Sequence, residues 1–424
     1  MTSRERVQAA LEHRAPDRAP RDFGATGITG ISASFIFKLR RELGLPEKPI
    51  PLYCPYQMLG EVDEDLRRYM RVDTISIWPA GNLFGFDNTP AKPFAMADGT
   101  RVLVPKAFNT SYEPDGRLFQ YACGDRGYPP AGVMPRGGFY FDATVRAKPV
   151  DDDELLDPAD NLEEFALLGD EALRKIERET RALFENTDYA IVGGGPGGTG
   201  LGDIAFVPGI MLRDPKGVRD IEDWYMSPLL RPEYIREVYD RQTDIAVENL
   251  KLYHEAVGDR IAVIVLCGAD FGSQRSLMMS VGVFRDLYQP FYRKMTDWIH
   301  ANTKWKVFKH CCGAIEPLIP HLIEAGFDIL NPVQISASGM APELLKQRYG
   351  GKLTFWGGGV CTQSTLPYGT PDEVREEARR NVRIFGEGGG YVFNAIHNVQ
   401  ANVPVGNFLA MLESLDGVRS STVS

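Results

Sequence analysis

From Pro232 onward the chain settles into a rhythm in which short apolar runs alternate with longer amphipathic stretches, and that rhythm constrains the fold more than any other feature. The spacing predicts helices over 232–256, 283–301, 315–325, 342–349, 371–385 and 405–415. It predicts strands over 261–266, 307–312, 328–333, 353–356 and 391–393 between them. Strands separated by helices of this length are joined by crossovers and lie parallel. Adding the earlier apolar runs Arg21–Phe23, Thr74–Trp78 and Ala190–Val192 brings the strand number to eight, the number that closes a (β/α)8 TIM barrel. Residues 79–150 break the rhythm with glycine, proline and aromatics around short β-like pieces. They are read as a β-rich hairpin region inserted after the second strand, covering the barrel mouth of a single domain spanning 1–424.

Local punctuation supports the element boundaries. Thr2 with Glu5 and Thr370 with Glu373 have capping-box spacing, Pro371 suits a first helical turn, and Gly44, Gly326 and Gly386 stand where helices should stop. Another helix is expected over 163–183. Gly193, Gly195 and Gly198 satisfy G-x-G-x-x-G after a strand, but Pro196 interrupts the run and no amphipathic helix opens behind it. A dinucleotide site needs that helix N-terminus, so a flexible loop at the site is the better reading.

Charge and cysteine usage narrow the function. The 424-residue chain carries a net charge of -10 and 43% hydrophobic residues, enough for a large core. An acidic balance disfavours nucleic acid and anionic membranes as partners. The first residues read directly as a capped helix, so no secretory leader is expected, and no apolar run is long enough to span a bilayer, so a cytoplasmic location is expected. Six cysteines in a chain this long, two of them adjacent, do not form a secreted disulfide framework. Reduced thiols are therefore available to a metal.

The most informative stretch is Val307-Phe-Lys-His-Cys-Cys-Gly313. On a strand, side chains alternate, so His310 and Cys312 share one face while Cys311 turns into packing on the other. An imidazole and a thiolate on one face suit zinc, and Cys361, after the later run 353–356, supplies a third ligand and leaves the fourth position open. Catalytic groups of a barrel gather where strands end. Asp22, Asp270, Gln334, Asn394 and His397 all fall at or just beyond such ends, as does Cys267. The remaining histidines, His13, His254, His300 and His321, lie on helical patterns and form no constellation.

Five segments carry a family resemblance: Asp270-Phe-Gly-Ser-Gln274, His310-Cys-Cys-Gly313, Gly326-Phe-Asp-Ile-Leu-Asn-Pro-Val-Gln334, Phe355-Trp-Gly-Gly-Gly-Val-Cys-Thr-Gln363 and Gly388-Gly-Gly-Tyr-Val-Phe393. From about Asp270 to Leu415, and more loosely from Met1, the chain resembles the uroporphyrinogen decarboxylase superfamily, in its cobalamin-linked methyltransferase branch. The resemblance implies zinc on His310, Cys312 and Cys361, and a cobalamin carried by a separate corrinoid protein. From their places at the rim, Asp22, Gln274, Gln334 and Asn394 are expected to contact a small methylated substrate, with Asp270 orienting a ligand or acting as acid and His397 protonating the leaving group. The decarboxylases proper carry paired arginines near the N-terminus, where this chain reads Arg21-Asp-Phe-Gly-Ala-Thr-Gly27.

The favoured expectation is O-demethylation of an aromatic methyl ether, with Phe86, Phe139, Tyr140 and Phe141 suited to a bulky donor. Methylcobalamin:thiol methyl transfer and cofactor-free decarboxylation, with Asp22 or Asp73 polarising a pyrrole, are the enzymatic alternatives. A zinc-stabilised scaffold would instead close the metal with Cys267 or Asp270 as fourth ligand. Pairing of the chain into a homodimer is left open.

Overall fold

The computed structural model describes residues 1–77, 81–151 and 153–416. A seven-stranded parallel sheet forms its centre, and spatial order follows chain order: Thr74–Ile77, Ala190–Gly194, Val263–Cys267, Lys306–His310, Ile329–Asn331, Thr354–Trp356 and Tyr391–Val392. Trp78, expected to end the first of these strands, lies outside the described residues.

Alternation along each strand divides the core in two. Ala190, Val192, Val263, Phe308, Ile329, Trp356 and Val392 meet on one face with Val7, Ala10 and Leu11 of the N-terminal helix. The intervening Ile191, Ile264, Val307, Leu330, Phe355 and Tyr391 join the larger cluster under the outer helices. A parallel sheet with apolar side chains on both faces must be covered on both, and here it curls around the first cluster and presents the second to the helices. No helix among the described residues is long and apolar enough to cross a membrane.

The eighth expected strand, Arg21–Phe23, is reduced to an isolated parallel bridge between Arg21 and Phe393. Pro20 supplies no N–H there and Gly24 adopts φ +109°, so a regular ladder cannot extend in either direction. The segment still bonds both sheet ends: Asp22 N–H donates to Phe393 O at 2.9 Å, Phe393 N–H to Pro20 O at 2.8 Å, and Asp73 N–H to Arg21 O at 2.8 Å.

Three helices differ from expectation, the one placed at 315–325 opening as a 3-10 turn over Glu316–Leu318 before the short helix Ile319–Glu324. The one placed at 163–183 runs Asp170–Asn186, because Glu164 is taken into a buried ion pair with Arg219 before the helix begins. The span 283–301 is two helices, Val281–Leu287 and Gln289–Asn302, with Pro290 at the start of the second, where its missing N–H does no harm. Both capping boxes form. The glycine run leads from its strand into turns, and the next helix starts only at Ile221, so a phosphate cradle is not built there.

Strands between Pro90 and Ala143 make two small sheets. One joins Pro90–Ala95 and Arg101–Pro105 to Ile50–Cys54 and Leu59–Gly60; the other holds Ser111–Tyr112, Leu118–Tyr121, Pro130–Met134 and Asp142–Ala143. Phe84 is their anchor, stacked on Phe86 at 6.2 Å and edge-on to Phe141 at 5.6 Å. Phe86 and Phe141 therefore serve the core, while Tyr140, at the end of the same stretch, is exposed.

Candidate metal centre

His310 ends its strand in register with Asn331 of the neighbouring strand, and Cys312 follows two residues on. Although the strand stops at His310, the alternation persists: Cys312 Sγ lies 3.3 Å from His310 Nε2. Cys311 turns the other way, buried in the outer cluster, where its sulfur accepts the Phe271 N–H at 3.2 Å. Gly313 makes the turn that follows, at φ +92°, and a Cβ there would collide with the Gly272 carbonyl.

The pair is held by its neighbours. Asn331 Oδ1 accepts from His310 Nδ1 at 2.6 Å. Asp270 Oδ1 accepts the Cys312 N–H at 2.7 Å and stands 3.7 Å from His310 Nε2. Gln334 Oε1 accepts the Gly313 N–H at 2.7 Å. Burial, and next the Asp270 carboxylate, push the Cys312 thiol well up, so a thiolate here calls for a cation. Tetrahedral zinc bonds of about 2.0 Å to nitrogen and about 2.3 Å to sulfur put those two atoms roughly 3.5 Å apart. The spacing of His310 and Cys312 fits that requirement.

His397 completes the cluster. Its ring centroid is 5.2 Å from that of His310 at 75°, and donor atoms of His310, Cys312 and His397 lie within 4.8 Å of one another. Burial, then the neighbouring His310, pushes the His397 imidazole down to about 3, so the ring is neutral at physiological pH. Cys312 and His397 open onto a cavity of about 630 Å3. Cys312, Gln334 and His397 line it together with Gln57 and with Tyr140, Phe141 and Asp142 of the small-sheet region.

The expected site residues separate into two groups. Gln274 and Gln334 face the cavity with Cys312 and His397, and Asp270 braces the pair from behind. Cys361 is buried and stands outside the three-donor cluster; its N–H donates to Glu377 Oε1 at 2.8 Å. Asp22 is fully buried away from the cavity, its carboxylate accepting from Thr74 Oγ1, Ala25 N–H and Trp356 Nε1 at 2.8–3.0 Å. Asn394 Nδ2 donates to the Asp22 carbonyl at 2.6 Å, inside the fold rather than on the cavity wall. The side chain of Cys267 lies outside the described residues. Sequence reasoning missed Asn331 as the partner of His310 and Gln363, whose Oε1 accepts from Gln334 Nε2 at 3.3 Å. Both belong to segments that stood out as motifs, yet nothing in a motif says which neighbour an amide will face.

Residues 210–418 match the family model described as uroporphyrinogen decarboxylase (URO-D). No curated protein matches the chain in sequence. Among solved structures, one described as a methyltransferase from Methanosarcina mazei is similar over 98% of this chain and 98% of its own. It shares 15% sequence identity, with a TM-score of 0.55, a likeness of fold. His310, Cys312, Cys361 and His397 all fall inside the stretch matched by the family model. The family-model similarity thus covers the C-terminal half of the chain, which holds the clustered donors, and the structural neighbour shares the fold of the whole.

Proposed function

We propose that this chain is a zinc-dependent methyltransferase that moves a methyl group between a small methylated substrate, favoured as an aromatic methyl ether, and the cobalt of a corrinoid held on a separate protein. The observation that carries the reading is the His310 Nε2 to Cys312 Sγ spacing of 3.3 Å at the wall of a cavity large enough for an aromatic ligand. A structural neighbour described as a methyltransferase supports the same class. The reading takes the sheet as a (β/α)8 barrel closed by Arg21–Phe23, supported by the backbone bonds of that segment to Phe393 and Asp73.

His310 and Cys312 would hold the zinc on this reading; the third ligand, Cys361, rests on the resemblance and not on the distances. When bound, the ion supplies Lewis acidity at the substrate heteroatom. The chain's own residues do the rest. Asn331 and Asp270 keep the two ligands oriented, Gln334 ties the following turn to the cavity wall, and Tyr140 offers an aromatic edge to the substrate ring. In the transfer the bonding pair would stay on oxygen as the methyl carbon leaves it, and the reduced corrinoid, as co-substrate, would supply the electron pair that takes up the methyl group.

Decarboxylation of a porphyrinogen is the rival favoured by the family model's name. The described cavity lining contains no arginine or lysine, whereas a substrate carrying several carboxylates calls for charge-assisted partners. The test is to load purified protein with zinc, add excess cob(I)alamin and a methoxybenzene, and follow the visible spectrum for methylcobalamin. The expected result is turnover in wild type and none in Cys312→Ser. Absence of methylation with every methoxyarene tried, alongside decarboxylation of a porphyrinogen, would overturn the proposal.

A further inference from the structure

His310 and His397 face one another, yet their neighbours impose opposite tautomers. Asn331 Nδ2 donates to the Trp356 carbonyl at 2.8 Å, which turns Asn331 Oδ1 toward His310 Nδ1. An amide oxygen only accepts, so His310 carries its proton on Nδ1 and leaves the Nε2 lone pair beside Cys312 Sγ. At His397 the polarity is reversed. The Asn398 backbone N–H donates to His397 Nδ1 at 2.8 Å. A backbone N–H only donates, so Nδ1 is the lone-pair atom and the neutral ring carries its proton on Nε2.

The loop cannot easily turn that N–H away. His397 sits at φ +72°, a left-handed conformation that a non-glycine residue keeps only when its surroundings impose it. Those surroundings are visible: Asn398 Oδ1 accepts the Gly30 N–H at 2.6 Å, and its Nδ2 donates to Gly27 O at 2.9 Å and to Gln57 Oε1 at 2.7 Å.

We propose that His397 is not a metal ligand but a neutral imidazole N–H donor aimed at the atom the metal binds, and that this atom is an oxygen or sulfur with two lone pairs. The inference rests on the methyltransferase reading above. Ligation by Nε2 would require a lone pair there, hence a proton on Nδ1 where the Asn398 N–H already points. The three clustered donors therefore divide into two that hold the ion and one that hydrogen-bonds its guest. A guest atom serving both needs one lone pair for the ion and another for the N–H. Ether oxygen and thioether sulfur have two; an amine nitrogen has one, and a quaternary ammonium has none. As the carbon–oxygen bond breaks and its electron pair collects on oxygen, the Nε2–H···O bond strengthens, so the donor favours the transition state over the bound substrate.

The experiment uses full-length protein labelled with 15N-histidine and loaded with zinc, with long-range 1H–15N spectra assigned through His397→Gln. The expected spectrum shows a protonated Nε2 and an unprotonated Nδ1 for His397, and the opposite pattern for His310. Both His397→Ala and His397→Gln should retain the wild-type zinc content. Transfer from methoxybenzene should fall about 100-fold in the alanine variant and recover in part in the glutamine variant, which keeps an N–H donor. Methylated amines should not be demethylated. An unprotonated His397 Nε2, or zinc lost from both variants while Cys311→Ser keeps it, would overturn the assignment. Wild type that takes up no zinc would sink the methyltransferase reading instead, and the nitrogen shifts of the metal-free protein would still decide the tautomer of His397.

Discussion

Asn331 Oδ1 lies 2.6 Å from His310 Nδ1 while Asn331 Nδ2 donates to the Trp356 carbonyl at 2.8 Å, so one buried amide ties a proposed metal ligand to the backbone of the next strand. Partners of this kind typically change metal affinity by about 10- to 100-fold when removed. Asn331→Ala is expected to weaken zinc binding by that amount, read by competition with a chromophoric chelator. Zinc affinity equal to wild type would show that His310 holds its orientation without the amide.

The adjacent cysteines should behave differently. Cys312→Ser is expected to abolish zinc uptake and Cys361→Ser to lower it. Cys311→Ser should keep the metal and cost about 1 kcal/mol of stability, because its sulfur sits in the outer core and accepts the Phe271 N–H. Elemental analysis paired with urea unfolding reads both quantities. Loss of zinc from Cys311→Ser alone would show that the facing of this segment had been misread.

Glu164 and Arg219 form a bidentate pair at 2.8 and 3.0 Å with both side chains almost wholly buried. Glu164→Gln leaves an uncompensated guanidinium in the interior and is expected to destabilise by about 3–5 kcal/mol. Guanidinium denaturation measures it, and a shift below about 1 kcal/mol would mean that water reaches the site.

Asp22 is surrounded by three donors, Thr74 Oγ1, Ala25 N–H and Trp356 Nε1, which set hydrogen bonding against the burial that pushes its carboxyl up. Asn at this position would point an NH2 group at one of those donors. Asp22→Asn is expected to cost about 1–3 kcal/mol, visible as a lowered urea midpoint. An unchanged midpoint would indicate that Asp22 is protonated in the native state.

Acid should weaken the N-terminal helix contact. The Arg6 guanidinium holds the Asp17 carboxyl well below the usual carboxylate range. A group whose native pKa is depressed stabilises above its unfolded value, about 3.9, and loses that contribution as pH falls through the native value. Because Asp17 is 44% exposed, solvent screening limits the effect to about 1 kcal/mol. Urea midpoints at pH 7, 5 and 3 should fall less steeply for Asp17→Asn than for wild type. Parallel curves would assign the acid sensitivity to other carboxylates.

Periodicity made much of this protein legible. The alternation that separates Phe308 and His310 from Val307 and Cys311 is a local property of an extended chain, and it places the side chains on opposite faces of the curled sheet. The strand–helix rhythm likewise follows from local pattern, and so do the capping boxes at Thr2 and Thr370. What only the tertiary structure decided is which loops meet across the cavity. His397 reaches the His310–Cys312 pair while Cys361 stands outside the cluster, and Asp22, read as a rim residue, is drawn inward by Trp356, 334 positions away. Such pairings depend on strand register and on how tightly each loop is tied to its neighbours. Those quantities are summed over many distant contacts, and a period of two or 3.6 residues carries no record of them.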